Sequence, residues 1–260
     1  MDRTAQLIHE KCLSASSAMT NSGECPYLVG DFTARTINHH YNWNTEPANA
    51  DMPVPRETNM HKIRHVFPGT RLLVIIRDPI ERLFSDYKYY AGSHGDVVTA
   101  DDFHMRVTSA IRTWHNCTHL LELPHDRCAF GFNFPRELKK AGFWGVNSID
   151  RLRISIYSIY AMTCLRIFPR NQLHVIKMEE FARDPLNYTQ KHLLPFLGAR
   201  PFDEEEMAKV RALDANANHN LRHTNVTMHA HTRQQLKTFF EPYNRQLSEM
   251  LHDDKFMWND

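Results

Sequence analysis

The sequence predicts an α/β domain with a central parallel sheet flanked by helices, taking all 260 residues as one unit. Two observations on the residues carry this. Leu72–Ile76 (LLVII) and QLHVIKMEEF over Gln172–Phe181 are short apolar runs rich in β-branched residues, the pattern of strands buried on both faces. The stretches around them repeat apolar residues at helical spacing. Strands alternating with helices favour parallel pairing, and a chain of this length buries a full core.

Taken in order, Thr4–Met19 is expected to be helical, with Leu7, Ile8, Cys12 and Ala15 along one side and Asn21-Ser22-Gly23 ending it. Pro26–Thr33 is a short strand candidate in which Gly30 marks a bend or a close backbone approach. Thr36–Pro55 holds three prolines, Tyr41 and Trp43 and reads as a loop. It either meets substrate or serves as a packed surface connection. Glu57–Phe67 is expected to be a helix leading into the Leu72–Ile76 strand. Arg77-Asp78-Pro79 ends that strand: Asp78 suits an N-cap and Pro79 the first helical position. Ile80, Leu83, Phe84, Tyr87 and Tyr90/Ala91 give the following helix its core face, while Asp78, Arg82 and Ser85 fall on another, toward the strand end.

Ser93–Thr99 is a turn. Asp101–Leu121 is a long helix with Phe103, Val107, Ile111, Trp114 and Leu120/Leu121 inward, and Leu123–Gly145 is irregular. Ser148–Phe168 is a helix burying Ile156, Ile159, Tyr160, Thr163 and Ile167. After the second strand, Asp184-Pro185 opens a helix to Leu197. Ala212–His231 is polar, and Thr232–Leu251 closes the chain as a helix with Leu236, Phe239/Phe240, Tyr243, Leu247 and Leu251 as its core face.

Composition narrows the function. Lys and Arg number 31 against 30 Asp and Glu, a balance that argues against generic nucleic-acid binding. The 17 histidines make the chain more cationic at mildly acidic pH. No apolar run approaches the roughly 18 residues of a membrane span, so no membrane contact is expected of this segment. MDRTAQLIHEKC at the start carries no apolar core of a signal peptide. The five cysteines match no zinc spacing, and the sequons at Asn116, Asn187 and Asn225 suit a secretory-pathway protein. His219, His223, His229 and His231 lack a carboxylate or thiolate pattern beside them, so no metal is expected.

The chemistry concentrates at the junction after the first strand. A strand, a tight turn and a helix start suit an anion, because free N–H groups and the helix dipole favour negative charge. Arg77 brings a planar fork for phosphate and Ser85 a compact donor. The plainer alternative is a capped helix whose Arg77 makes an ordinary salt bridge.

R-D-P-x-x-R-x-x-S-x-Y, from Arg77 to Tyr87, resembles the 3′-phosphate-binding motif of sulfotransferases that use 3′-phosphoadenosine 5′-phosphosulfate (PAPS). RHVFPGTRLLVIIRDPIERLFSDYKYY, the Cys117 and Cys128 pair, RISIYSIYAM and FFEPYNRQL extend the likeness to the carbohydrate sulfotransferases of the Golgi, from about Tyr27 to Trp258. The resemblance implies a P-loop-NTPase-like sulfotransferase fold, PAPS as co-substrate and Golgi-lumenal residence. It implies a sulfated glycosaminoglycan acceptor, with GalNAc 4-sulfate of chondroitin or dermatan sulfate favoured. By the same resemblance Arg77 and Ser85 hold the 3′-phosphate and Cys117 bonds Cys128; Cys12 with Cys25 is a possible second pair, leaving Cys164 free and buried.

One part of the family pattern does not match. No K-x-G-T-like loop precedes Pro26 and no Glu-x-His segment follows it, so the domain is expected to lack its first strand and phosphosulfate loop. A catalytically inactive protein that binds nucleotide or sulfated glycan is the alternative. Asp31, His39 and His40 are conceivable bases, but a surface role is the better reading of each, and Glu179 and Glu180 are assigned to capping or ion pairing. No catalytic residue is assigned, and the sequence is silent on oligomeric state.

Overall fold

The computed structural model describes residues 30–31, 36–38, 43–93, 97–131, 148–215 and 225–259. The expected helix at Thr4–Met19, most of the Pro26–Thr33 strand, the Cys12–Cys25 pair, and His39, His40, His219 and His223 lie outside these residues.

The sheet among the described residues is a parallel pair. β1 (Leu72–Ile76) runs beside β2 (Leu173–Lys177), with Leu72 opposite Leu173 and Ile76 opposite Lys177. Helices lie between the two strands in the chain, as a parallel crossover requires. β2 is buried on nearly every residue, as its apolar run predicts. β1 departs from that expectation: Leu73 and Ile75 are exposed, Ile75 at 56%. Among the described residues the helices pack on the face that Leu72, Val74 and Ile76 present, while Ile75 lines a cavity.

α1 (Asn59–Val66) leads into β1, with His61 Nδ1 accepting the Thr58 backbone N–H at 3.1 Å, half of a capping box. α2 (Pro79–Ser93) begins where the Asp78 cap places it. Ile80, Leu83, Phe84, Tyr87 and Ala91 are buried, as the helical spacing predicts. α3 (Ala100–His115) buries Phe103, Val107, Ile111 and Trp114. It then widens into a π-turn over Asn116–Leu120. That wider turn rotates the face away from the 3.6-residue repeat. Leu120 and Leu121, expected inward, are therefore exposed, at 75% and 51%.

α4 (His125–Gly131) occupies part of the stretch expected to be irregular and is tied to the π-turn by the Cys117–Cys128 disulfide. The helix expected over Ser148–Phe168 is two, α5 (Ser148–Ile154) and α6 (Tyr157–Ile167). Ser155 N–H and Ile156 N–H close tight turns on Leu152 and Arg153, each at 3.0 Å, and break the ladder. The second strand is also shorter than read. It ends at Lys177, and Met178–Phe181 forms the short helix α7, which turns Glu179 toward Asp78.

α8 (Pro185–Tyr188), a π-turn over Thr189–Leu193 and α9 (Leu194–Leu197) fill the helix expected there. α10 (Glu204–Ala215) was not foreseen; its first turn carries Glu204, Glu205 and Glu206, which complement the helix dipole. α11 (Ala230–Leu251) buries Leu236, Phe239, Phe240, Leu247 and Leu251. Two apolar clusters result. One joins α2, α3, α4 and α11 around Trp114, and the other packs α1, α6 and the end of α11 against the sheet around Phe168.

Candidate functional site

The C-terminal ends of the strands open into a cavity of about 910 Å³. Arg77, one residue beyond β1, and Ser85, in the second turn of α2, both line it. The strand ends where the pleat stops and Asp78 begins the helix, so residues eight apart in sequence reach one cavity. Neither the Arg77 guanidinium nor the Ser85 hydroxyl has a hydrogen-bond or ion-pair partner among the described residues. A guanidinium and a hydroxyl that line one cavity without such partners are a donor set for a doubly charged oxyanion.

The helix start contributes less than anticipated. Asp78 Oδ1 accepts the N–H groups of Ile80 and Glu81 at 2.7 and 3.3 Å, and the N–H of Asp78 itself donates to Glu179 Oε1 at 2.7 Å. The first-turn donors are thus engaged by carboxylates, and side chains carry the anion-binding potential. Burial raises the pKa of Asp78, and the nearby charges of Glu81 and Glu179 push in the same direction.

Arg82, the second arginine of the motif, braces the wall. Its Nε donates to Ser155 Oγ and its Nη2 to the Arg151 carbonyl, while Nη1 lies 3.8 Å from Asp86 Oδ2. Arg151 sits 3.6 Å from Asp86 Oδ1 and covers the Tyr90 ring at 4.0 Å. Tyr157 also lines the cavity; burial pushes its phenol up to about 12, so it stays neutral and able to donate.

Several lining residues are not singled out by the sequence pattern, Lys88, Ile37 and Asn38 among them. Lys88 lies three residues beyond Ser85 on the same helical face, a spacing that could have indicated it. Ile37 and Asn38 come from the loop proposed to meet substrate, which nothing in their own chemistry singles out. Asp31 is exposed and does not line the cavity. Glu180 pairs with Lys255 at 3.3 Å. His229 contacts Asp101 at 2.8 Å and stacks on His231, and no group of three or more potential metal ligands occurs among the described residues. Cys164 is buried with its thiol pushed up to about 12 by desolvation.

No protein-family model matches the chain. Carbohydrate sulfotransferase 15 of Homo sapiens is 29% identical to it over 258 residues, which is 99% of this chain and 43% of that protein. The Rattus norvegicus protein of the same name is 28% identical over the same extent. The likeness seen in the motif thus continues along nearly the whole chain and takes in residues before Tyr27. The chain spans less than half the length of these relatives. Among solved structures, a sulfotransferase from Alicyclobacillus acidocaldarius is 19% identical and aligns with a TM-score of 0.47 over 76% of this chain and 60% of its own.

Proposed function

We propose that this chain performs the sulfuryl transfer of a carbohydrate sulfotransferase, from PAPS to a sugar hydroxyl of a glycosaminoglycan. GalNAc 4-sulfate of chondroitin or dermatan sulfate is the proposed acceptor and the Golgi lumen the proposed site of action. The observation that carries the reading is that Arg77 and Ser85 line one cavity with no hydrogen-bond or ion-pair partner among the described residues. The similarity to carbohydrate sulfotransferase 15 supports the reaction class, and the Cys117–Cys128 disulfide suits an oxidising lumen.

Sulfuryl transfer parallels phosphoryl transfer: an in-line displacement through a loose transition state, driven by positioning and charge stabilisation. In this reading the Arg77 fork and the Ser85 hydroxyl grip the 3′-phosphate of the donor, remote from the bond that breaks. Such contacts contribute by fixing the reacting group in line rather than by chemistry of their own. Lys88, on the same helical face, adds positive charge to the wall.

The test is calorimetry with 3′,5′-adenosine bisphosphate, the desulfated donor, against 5′-AMP. Removing a charged hydrogen-bond partner costs about 1.5–3 kcal/mol, so Arg77→Ala is expected to weaken the bisphosphate roughly ten- to a hundred-fold. Ser85→Ala is expected to cost less, and AMP, lacking the 3′-phosphate, to respond weakly to either. Equal affinity of wild type and Arg77→Ala for the bisphosphate would remove the assignment.

A further inference from the structure

At the opposite end of β1 lies a second, shallower groove of about 600 Å³, bordered by Arg64, Arg71, Asn171, Gln172 and Phe196. Arg71 directly precedes the strand and Arg77 follows it. The five residues of β1 separate the two arginines by roughly 20 Å, too far to share one anion.

Arg71 has an unusual neighbour. Gly198 ends α9 with φ at +68°, and a Cβ built there would lie 2.8 Å from Arg71 Nη1. The guanidinium therefore rests against a backbone that only glycine leaves bare. It makes no ion pair or hydrogen bond among the described residues. Arg64 donates to the Pro68 carbonyl and to Gln172 Oε1, while Gln172 Nε2 donates to the same carbonyl at 3.0 Å. Both Arg64 partners are neutral, so its charge is oriented but not compensated. Two guanidiniums with no carboxylate partner among the described residues favour sulfate or carboxylate ligands. Phe196 and the Pro195 ring add apolar surface against which a sugar face can pack.

We propose that this groove is an anchoring subsite for a sulfated stretch of a glycosaminoglycan chain, distinct from the cavity that holds Arg77. The polymer class rests on the proposed function; the anion-binding character rests on the groove itself. The reacting sugar occupies only one point of a long polyanion, and a second cationic groove holds the chain during transfer.

The test uses the full chain with a chondroitin sulfate octasaccharide, followed by calorimetry at several salt concentrations. Arg71→Ala, on an exposed side chain, is expected to weaken the octasaccharide roughly tenfold and Arg71→Lys to restore part of it. The slope of log affinity against log salt is expected to become shallower in Arg71→Ala. Affinity for 3′,5′-adenosine bisphosphate is expected to stay unchanged. Unchanged octasaccharide affinity in both Arg71→Ala and Arg64→Gln would overturn the groove assignment. Equal binding of a hyaluronan octasaccharide, which has carboxylates and no sulfate, would overturn sulfate as the recognised group. Equal, Arg71-dependent binding of an oligodeoxythymidylate would overturn the glycan. Loss of octasaccharide binding in Arg71→Ala, in a protein that never binds the bisphosphate, would sink the proposed function and leave the groove standing.

Discussion

Arg77 and Arg82 stand five residues apart in one motif, and their neighbours give them opposite tasks. Arg82 has Ser155 Oγ, the Arg151 carbonyl and Asp86 around it, so its charge holds α2 against the α5–α6 junction. Arg77 faces the cavity with no such partners among the described residues. Mutations should separate the two. Arg82→Ala is expected to lower stability by about 1.5–3 kcal/mol, since hydrogen bonds to a charged group are lost and their acceptors left behind. Arg77→Ala is expected to leave stability within about 0.5 kcal/mol while weakening the bisphosphate. Urea denaturation of both variants beside the calorimetry checks the contrast; equal destabilisation would mean that Arg77 is also structural. Cys164, buried and with its thiol pushed up to about 12, is expected to resist thiol reagents until the protein unfolds.

At the scale of elements, the junction from β1 to α2 depends on one cap. Asp78→Ala is expected to cost about 0.5–2 kcal/mol in urea denaturation, and Asp78→Asn less, because an amide oxygen still accepts at the helix start. Equal losses would indicate that the carboxylate charge matters rather than the cap. Disulfide reduction tests another element. Cys117 and Cys128 are 11 residues apart, and a loop of that size contributes roughly 3 kcal/mol in the chain-entropy account. Reduced protein, or Cys117→Ser, is expected to show that loss.

These elements also show what was legible. β1, the Asp78 cap and the buried faces of α2 and α11 follow from local pattern, because one residue's spacing or chemistry decides each. That Arg77 and Ser85 reach one cavity was readable because the strand-to-helix turn sets where they go. The π-turn at Asn116–Leu120 and the break at Ser155 were not. Both depend on contacts from elsewhere: the first is anchored by the bond to Cys128, the second by Arg82 bonding Ser155 from 73 residues away. The same holds for α7, where Glu179 is drawn to the N–H of Asp78. Periodicity reports a helix's own repeat and carries no signal for a partner that bends it.

Across the whole molecule, the histidines set a pH dependence. Burial lowers the pKa of His61, His115, His125 and His174. The charge of His119 adds to the effect at His115 and His125, and that of His192 at His174. His61 Nδ1, moreover, accepts the Thr58 N–H, and protonation removes that acceptor. An imidazole whose folded pKa lies below its unfolded value near 6.5 takes up protons more readily when the chain unfolds. Its stabilising contribution is complete above about pH 6.5 and is lost as pH falls toward the folded pKa. Asp78, with its carboxyl raised by burial, works the other way, favouring the folded state on the acid side, but it is one group against four. The melting temperature is therefore expected to fall between pH 7.5 and 5.5. The double variant His115→Gln, His125→Gln is expected to flatten that decline, since its imidazoles no longer titrate. A melting temperature that holds steady or rises across this range would show that the folded protein accepts these protons without cost. An unchanged slope in the double variant would place the dependence at His61 and His174.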